Sequence, residues 1–135
     1  MFFEDQFSFV NPNDLSRNEL EIFKKNQFII ELIGGLPIEV HEIKISETMV
    51  KEMFSSNETL GCWDPKKNNI IISRKQLRSL SEYSGTLIHE IIHAKTGFGD
   101  VNREFETELT KAIGIACNAA LKHEIKKKSW FGFGV

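Results

Sequence analysis

Apolar residues recur at helical spacing along some parts of this chain and at strand spacing along others. Leu20, Phe23, Ile29, Ile30 and Ile33 form a stripe that Gly34-Gly35 and Pro37 bring to a stop. Asp14 or Ser16 can cap that stripe, with Glu19 and Glu21 near its positive end, so one N-terminal helix is predicted. Beyond Pro37, the run from Ile38 to Ile45 alternates as a strand, with a phase slip between Val40 and Ile43. Residues 46–60, with Met49, Val50, Met53 and Phe54, fit either a short helix or a folded loop. Gly61-Cys62-Trp63-Asp64 reads as a strand end, and Pro65 to Asn69 as a polar hairpin turn. The β-branched run Ile70-Ile71-Ile72 is the clearest strand in the chain. A helix is predicted from about Tyr83 to Thr96, ended by Gly97 and Gly99. Asp100 then caps a long last helix, from about Asn102 to about Lys126. The expected fold is α+β: an N-terminal helix, a small mixed or antiparallel sheet of about three strands, and two C-terminal helices.

Composition narrows the picture. The 135 residues fit one domain, 1–135, with 1–13 and 127–135 as looser tails. Four phenylalanines, Phe2, Phe3, Phe7 and Phe9, either pack the first tail or leave it frayed. Hydrophobic residues make up 41% and charged residues 27%, which is enough for an ordinary core. With a net charge of −2 and dispersed lysines, no nucleic-acid partner is expected. Cys62 and Cys117 lie far apart, outside metal-ligand spacing, and suit a reducing compartment. The acidic start and the lack of a long apolar run point to a cytoplasmic protein without a membrane anchor.

Chemistry enters at Gly85-Thr86-Leu87-Ile88-His89-Glu90-Ile91-Ile92-His93-Ala94. His-Glu-x-x-His on a helix puts two imidazoles one turn apart on one face, within reach of a single zinc ion. Glu90, beside the first histidine, is placed to take a proton from metal-activated water. At about 100° per residue, Leu87, Ile88, Ile91 and Ile92 form one arc and the histidines lie nearly opposite. One side of the helix is then anchored in the core while the other faces a cleft. The competing reading is a surface helix that carries two histidines and a glutamate by chance.

Zinc held by two histidines needs a third protein ligand and a fourth position for water. The next helix offers Glu104, Glu106 and Glu108 beside an apolar stripe of Phe105, Leu109, Ala112, Ile113, Ala116 and Ala120. Glu104 points away from the stripe. Glu106 and Glu108 flank it, and Glu106 lies nearer its centre, so Glu106 is the expected ligand and Glu108 the reserve. Each has a plain alternative as a solvated residue paired with Lys111. His41 is a weak further candidate, and His123 is expected at the surface.

His-Glu-x-x-His followed by a helical glutamate resembles the gluzincin branch of zinc metallopeptidases. Ser46 to Met49, Leu60 to Pro65, Ile70 to Leu77, Gly85 to Ala94 and Arg103 to Thr110, in that order, resemble a zincin-like module. That module is found appended to bacterial histidine-kinase-like ATPases. The resemblance spans roughly residues 38–115. It places a Phe-Glu pair at Phe105-Glu106, supporting Glu106; this chain carries no ATPase domain, and its aromatic ends have no counterpart. What it implies is a minimal zincin with Zn2+ on His89, His93 and Glu106, and Glu90 as general base. A peptide or protein substrate would pair beside the strand Ile70–Ser73, and a regulatory ATPase partner is implied. A non-catalytic zinc-binding module and a narrow-specificity regulatory protease are the alternatives.

Four other features carry less. Tyr83 is a weak candidate for an oxyanion donor, and Cys62 for an inhibitory thiolate. Gly97-Phe98-Gly99 lacks the context of a phosphate loop and reads as a helix stop. Lys126-Lys127-Lys128 suits a helix end, with Trp130, Phe131 and Phe133 as an alternative membrane or partner anchor.

Overall fold

Ser16 starts the first helix by a reciprocal capping box. Its hydroxyl accepts from the Glu19 amide at 3.2 Å, and its own amide donates to the Glu19 carboxylate at 2.8 Å. In this computed structural model, which describes residues 6–50, 59–97 and 102–130, that helix is short. α1 spans Arg17–Phe23, and α2, Asn26–Leu32, follows after a break at Lys24-Lys25. The single helix expected from the sequence is therefore divided, and its own stripe supplies the reason. Leu20 and Ile29 are nine residues apart, about 900° of helical turn, so an unbroken helix would hold them on opposite sides. The break lets Leu20 and Phe23 of α1 and Ile29 and Ile30 of α2 face the same core.

Three strands follow: β1 (Glu42–Ser46), β2 (Gly61–Asp64) and β3 (Asn69–Ser73). The sheet is mixed, in the order β1-β3-β2, with β1 parallel and β2 antiparallel to β3. All five residues of β3 are buried, as a β-branched run in the middle of a sheet should be. β1 starts later than the alternation suggested. Pro37 accepts from the Val40 amide in a turn, and Ile38 stands 91% exposed. The phase slip between Val40 and Ile43 thus marks the strand's true beginning: Val40 is buried from the turn before it, and pairing with β3 begins only at Glu42.

The β2–β3 hairpin turns through Asn68, whose φ of 58° is left-handed, and the Asp64 carboxylate accepts from the Lys66 amide. Upstream, Val10 donates to the Ile45 carbonyl and Phe9 bridges Ser46, so the N-terminal segment lies along the free edge of β1. Phe7 stacks on Phe9, and the Lys44 ammonium sits 4.5 Å over the Phe9 ring. This part of the tail packs by its aromatics; residues 1–5 lie outside the described ones.

Ser79 caps α3, Leu80–Thr96, by accepting from the Glu82 amide. The helix begins three residues before the predicted Tyr83 because that cap lies further upstream. Gly97, at φ 70°, ends it in the left-handed conformation glycine favours. α4 runs from Arg103 to Trp130. Its cap is Asn102, whose side-chain oxygen accepts from the amides of Glu104 and Phe105. The predicted cap Asp100 lies outside the described residues, as do Met53, Phe54 and the last five residues. Among the described residues one apolar core runs from Leu15 to Ala112, and α1 to α4 and all three strands contribute to it or pack against it. No helix among the described residues is long and apolar enough to cross a membrane.

Candidate metal centre

α3 is the element that builds the site. Tyr83, Leu87, Ile91 and Ile92 are 0–3% exposed and fix its inner face against the sheet and the N-terminal helices. His89 and His93 project from another side and are partly buried. Their Nε2 atoms stand 3.2 Å apart. Two nitrogens bound to one zinc at about 2.05 Å and a tetrahedral angle are about 3.3 Å apart, so the pair already has the spacing of a shared ion. In the metal-free chain the same distance suits an N–H···N bond between rings of complementary tautomer.

Glu90 belongs to the same group. One ligand atom from each of His89, Glu90 and His93 lies within 4.8 Å of the others. At 5% exposure, Glu90 is one of the few charged side chains in the interior. What covers it is the start of β2. A Cβ on Gly61 would lie 3.1 Å from Glu90 Cγ, 3.3 Å from Glu90 Oε2 and 2.7 Å from Thr86 Cγ2. Only glycine lets this strand approach α3 so closely. Thr86 is held in turn by the hydrogen bond from its hydroxyl to the buried Gln76 carboxamide, 2.8 Å.

β2 also corrects an expectation about the sheet. The strand beside the cleft was to be Ile70–Ser73, but that strand is central and fully buried. The edge strand against α3 is β2. Ser73 donates to the Leu60 carbonyl at 2.9 Å. By antiparallel alternation, the N–H and C=O groups of Gly61 and Trp63 then point away from β3. No strand among the described residues pairs with that outer edge.

The second helix brings a different residue to the imidazoles from the one expected. Phe105 is 2% exposed, with its ring centroid 4.5 Å from that of His93 and 5.0 Å from that of His89. Glu106, the residue after it, lies on the exposed side of α4, outside the His89–Glu90–His93 group. Glu108 is the less exposed of the two, and it is engaged by Lys95 at 2.8 Å and Lys111 at 3.4 Å. The hydrogen bond from Lys95 holds its carboxyl below the ordinary value. The sequence stripe counted Ile113 as buried. Ile113 is 56% exposed, so the buried arc of α4 is shifted towards Glu108.

The minor candidates do not join the histidines. Tyr83 is fully buried on the core face and donates to the Asn26 side chain, and burial raises its pKa. It is a core residue rather than an oxyanion donor. Cys62 lies outside the His89–Glu90–His93 group, and burial, then the charges of Glu90 and Asp64, push its thiol up to about 12. His41 is exposed beside Asn68, at the hairpin end of the sheet opposite Gly61. Glu104 is exposed, as expected. The side chain of His123 lies outside the described ones. Sequence reasoning missed Phe105 and the Gly61–Thr86–Glu90 contact; a glycine opening a strand was the available signal for the second. No family model, curated protein or solved structure matches this chain.

Proposed function

We propose that the chain is a zinc-dependent metallopeptidase. The observation that carries this reading is the 3.2 Å separation of His89 and His93 Nε2 with the buried Glu90 carboxylate in the same group. His89 and His93 would hold the ion, and the third ligand would be Glu106, which would have to turn towards them from the exposed side of α4. Zinc, when bound, supplies Lewis-acid polarisation of a carbonyl and brings the pKa of water down towards ~7. Glu90 takes a proton from the attacking water at its carboxylate and returns it to the leaving amine nitrogen as the peptide C–N bond breaks. The covering strand at Gly61 screens that carboxylate from bulk water. The outward N–H and C=O groups of Gly61 and Trp63 suit an extended peptide laid along β2, which favours a peptide or protein substrate.

A second reading is a zinc-holding interaction module without turnover. It is favoured by what α4 presents, an aromatic ring on the imidazoles and a Glu108 tied to Lys95. The resemblance to the ATPase-associated module adds the proposal of a regulatory ATPase partner. In either reading the chain acts in the cytoplasm.

Zinc content per chain separates the outcomes. Protein purified without added metal should carry one zinc, lost in Glu106→Ala and kept in Glu108→Ala. Glu90→Gln should keep the zinc and abolish hydrolysis of a peptide library. A parent chain that takes up no zinc even when incubated with it refutes both readings.

A further inference from the structure

We infer that Phe105 is a positioning residue for the metal centre: its ring holds the two imidazoles in the mutual orientation that a single ion requires. The inference rests on the metal-binding reading above. Imidazoles on an isolated helix turn about χ1 and χ2, and each must be ordered before both nitrogens can reach one ion. In this chain the ordering group comes from the other helix. The Phe105 ring lies tilted by 33° over His93 at 4.5 Å, and at 65° to His89 at 5.0 Å. The two imidazoles themselves are held at 72° to each other, 4.8 Å between centroids.

The geometry of these contacts suits a support and not a plug. The ring tilted over His93 does not come between the two Nε2 atoms, which stand 3.2 Å apart. Phe105 is itself fixed. It is 2% exposed, belongs to the main core, and sits in the first turn of α4, where its amide is capped by Asn102. Its position therefore registers the packing of α4 on α3 directly at the histidines. Groups that support ligands without binding metal commonly change affinity by about 10- to 100-fold when removed.

Phe105→Leu tests this, because leucine keeps an apolar side chain at the helix contact and removes the ring. Zinc affinity would be measured by competition with a chromogenic chelator, alongside thermal unfolding and the imidazole proton resonances of His89 and His93. The expected result is a variant that melts cooperatively but binds zinc about 10-fold more weakly. The His93 ring resonances should move downfield as the ring current is lost, and those of His89 should shift as well. Unchanged affinity with a retained fold overturns the positioning role. If the leucine variant does not fold, Phe105→Met is read in the same way. The parent's own resonances decide the contact independently of any variant: imidazole protons without a ring-current displacement overturn it. Failure of the metal reading is distinct, since it shows as no zinc uptake by the parent.

Discussion

Gly61→Ala is the perturbation whose effect follows most directly from the structure. The new methyl would sit 2.7 Å from Thr86 Cγ2, where carbon atoms in van der Waals contact stay about 3.5–4 Å apart. Either β2 or α3 must move by the better part of an ångström. Thr86 is poorly placed to turn aside, since its hydroxyl is bound to Gln76. Overpacking of this kind costs about 1–3 kcal/mol. The lower chain entropy of alanine in the unfolded state returns about 0.5–1 kcal/mol. The net loss expected is about 1–2 kcal/mol, or a Tm lower by about 4–8 °C for a chain of this length. Thr86→Ser removes the opposing methyl while keeping the hydroxyl that donates to Gln76. In that background the loss from Gly61→Ala should shrink by about 1 kcal/mol, leaving the softer contact with Glu90 Cγ at 3.1 Å. The assay is a double-mutant cycle by urea unfolding followed by circular dichroism. Strict additivity of the two substitutions, or a Gly61→Ala variant as stable as the parent, would refute the close-approach argument.

Three further outcomes are expected. Arg74 grips Glu19 with two hydrogen bonds and Glu47 with a third, and the Arg74 contact holds the Glu19 carboxyl at about 2, below its ordinary value of 4.5. Because the folded-state value is depressed, this stabilisation is full above about pH 4.5 and is lost as pH falls through about 2; Glu19→Gln should remove about 1 kcal/mol at pH 7 and flatten stability across that window, measured by urea midpoints. Tyr83→Phe should cost about 1–2 kcal/mol in thermal unfolding, by stranding the Asn26 side chain, and leave zinc content unchanged; a loss of zinc would place Tyr83 at the metal after all. Ile38→Lys should alter stability by no more than about 0.5 kcal/mol, whereas a strand residue facing the core would cost several times that.

Local chemistry made much of this protein legible from its residues alone. Gly97 and Ile70-Ile71-Ile72 mark the end of α3 and the run of β3 by left-handed backbone and β-branching, and each effect acts within a few residues. The juxtaposition of His89 and His93 is equally local, since four residues of α-helix return a side chain to the same face. Tertiary structure decided the rest. Two short N-terminal helices replaced one because Leu20 and Ile29 had to meet the same core. Ile38 was released because β1 takes its register from β3. Which part of α4 faces the histidines depends on how two helices pack: Ile113 belongs to the stripe read from the sequence, yet it is 56% exposed. Gly61 above Glu90 joins residues 29 positions apart, and Phe105 meets the imidazoles across a connection between helices. Such contacts are set by the shape of neighbouring elements, a property that no window of sequence contains.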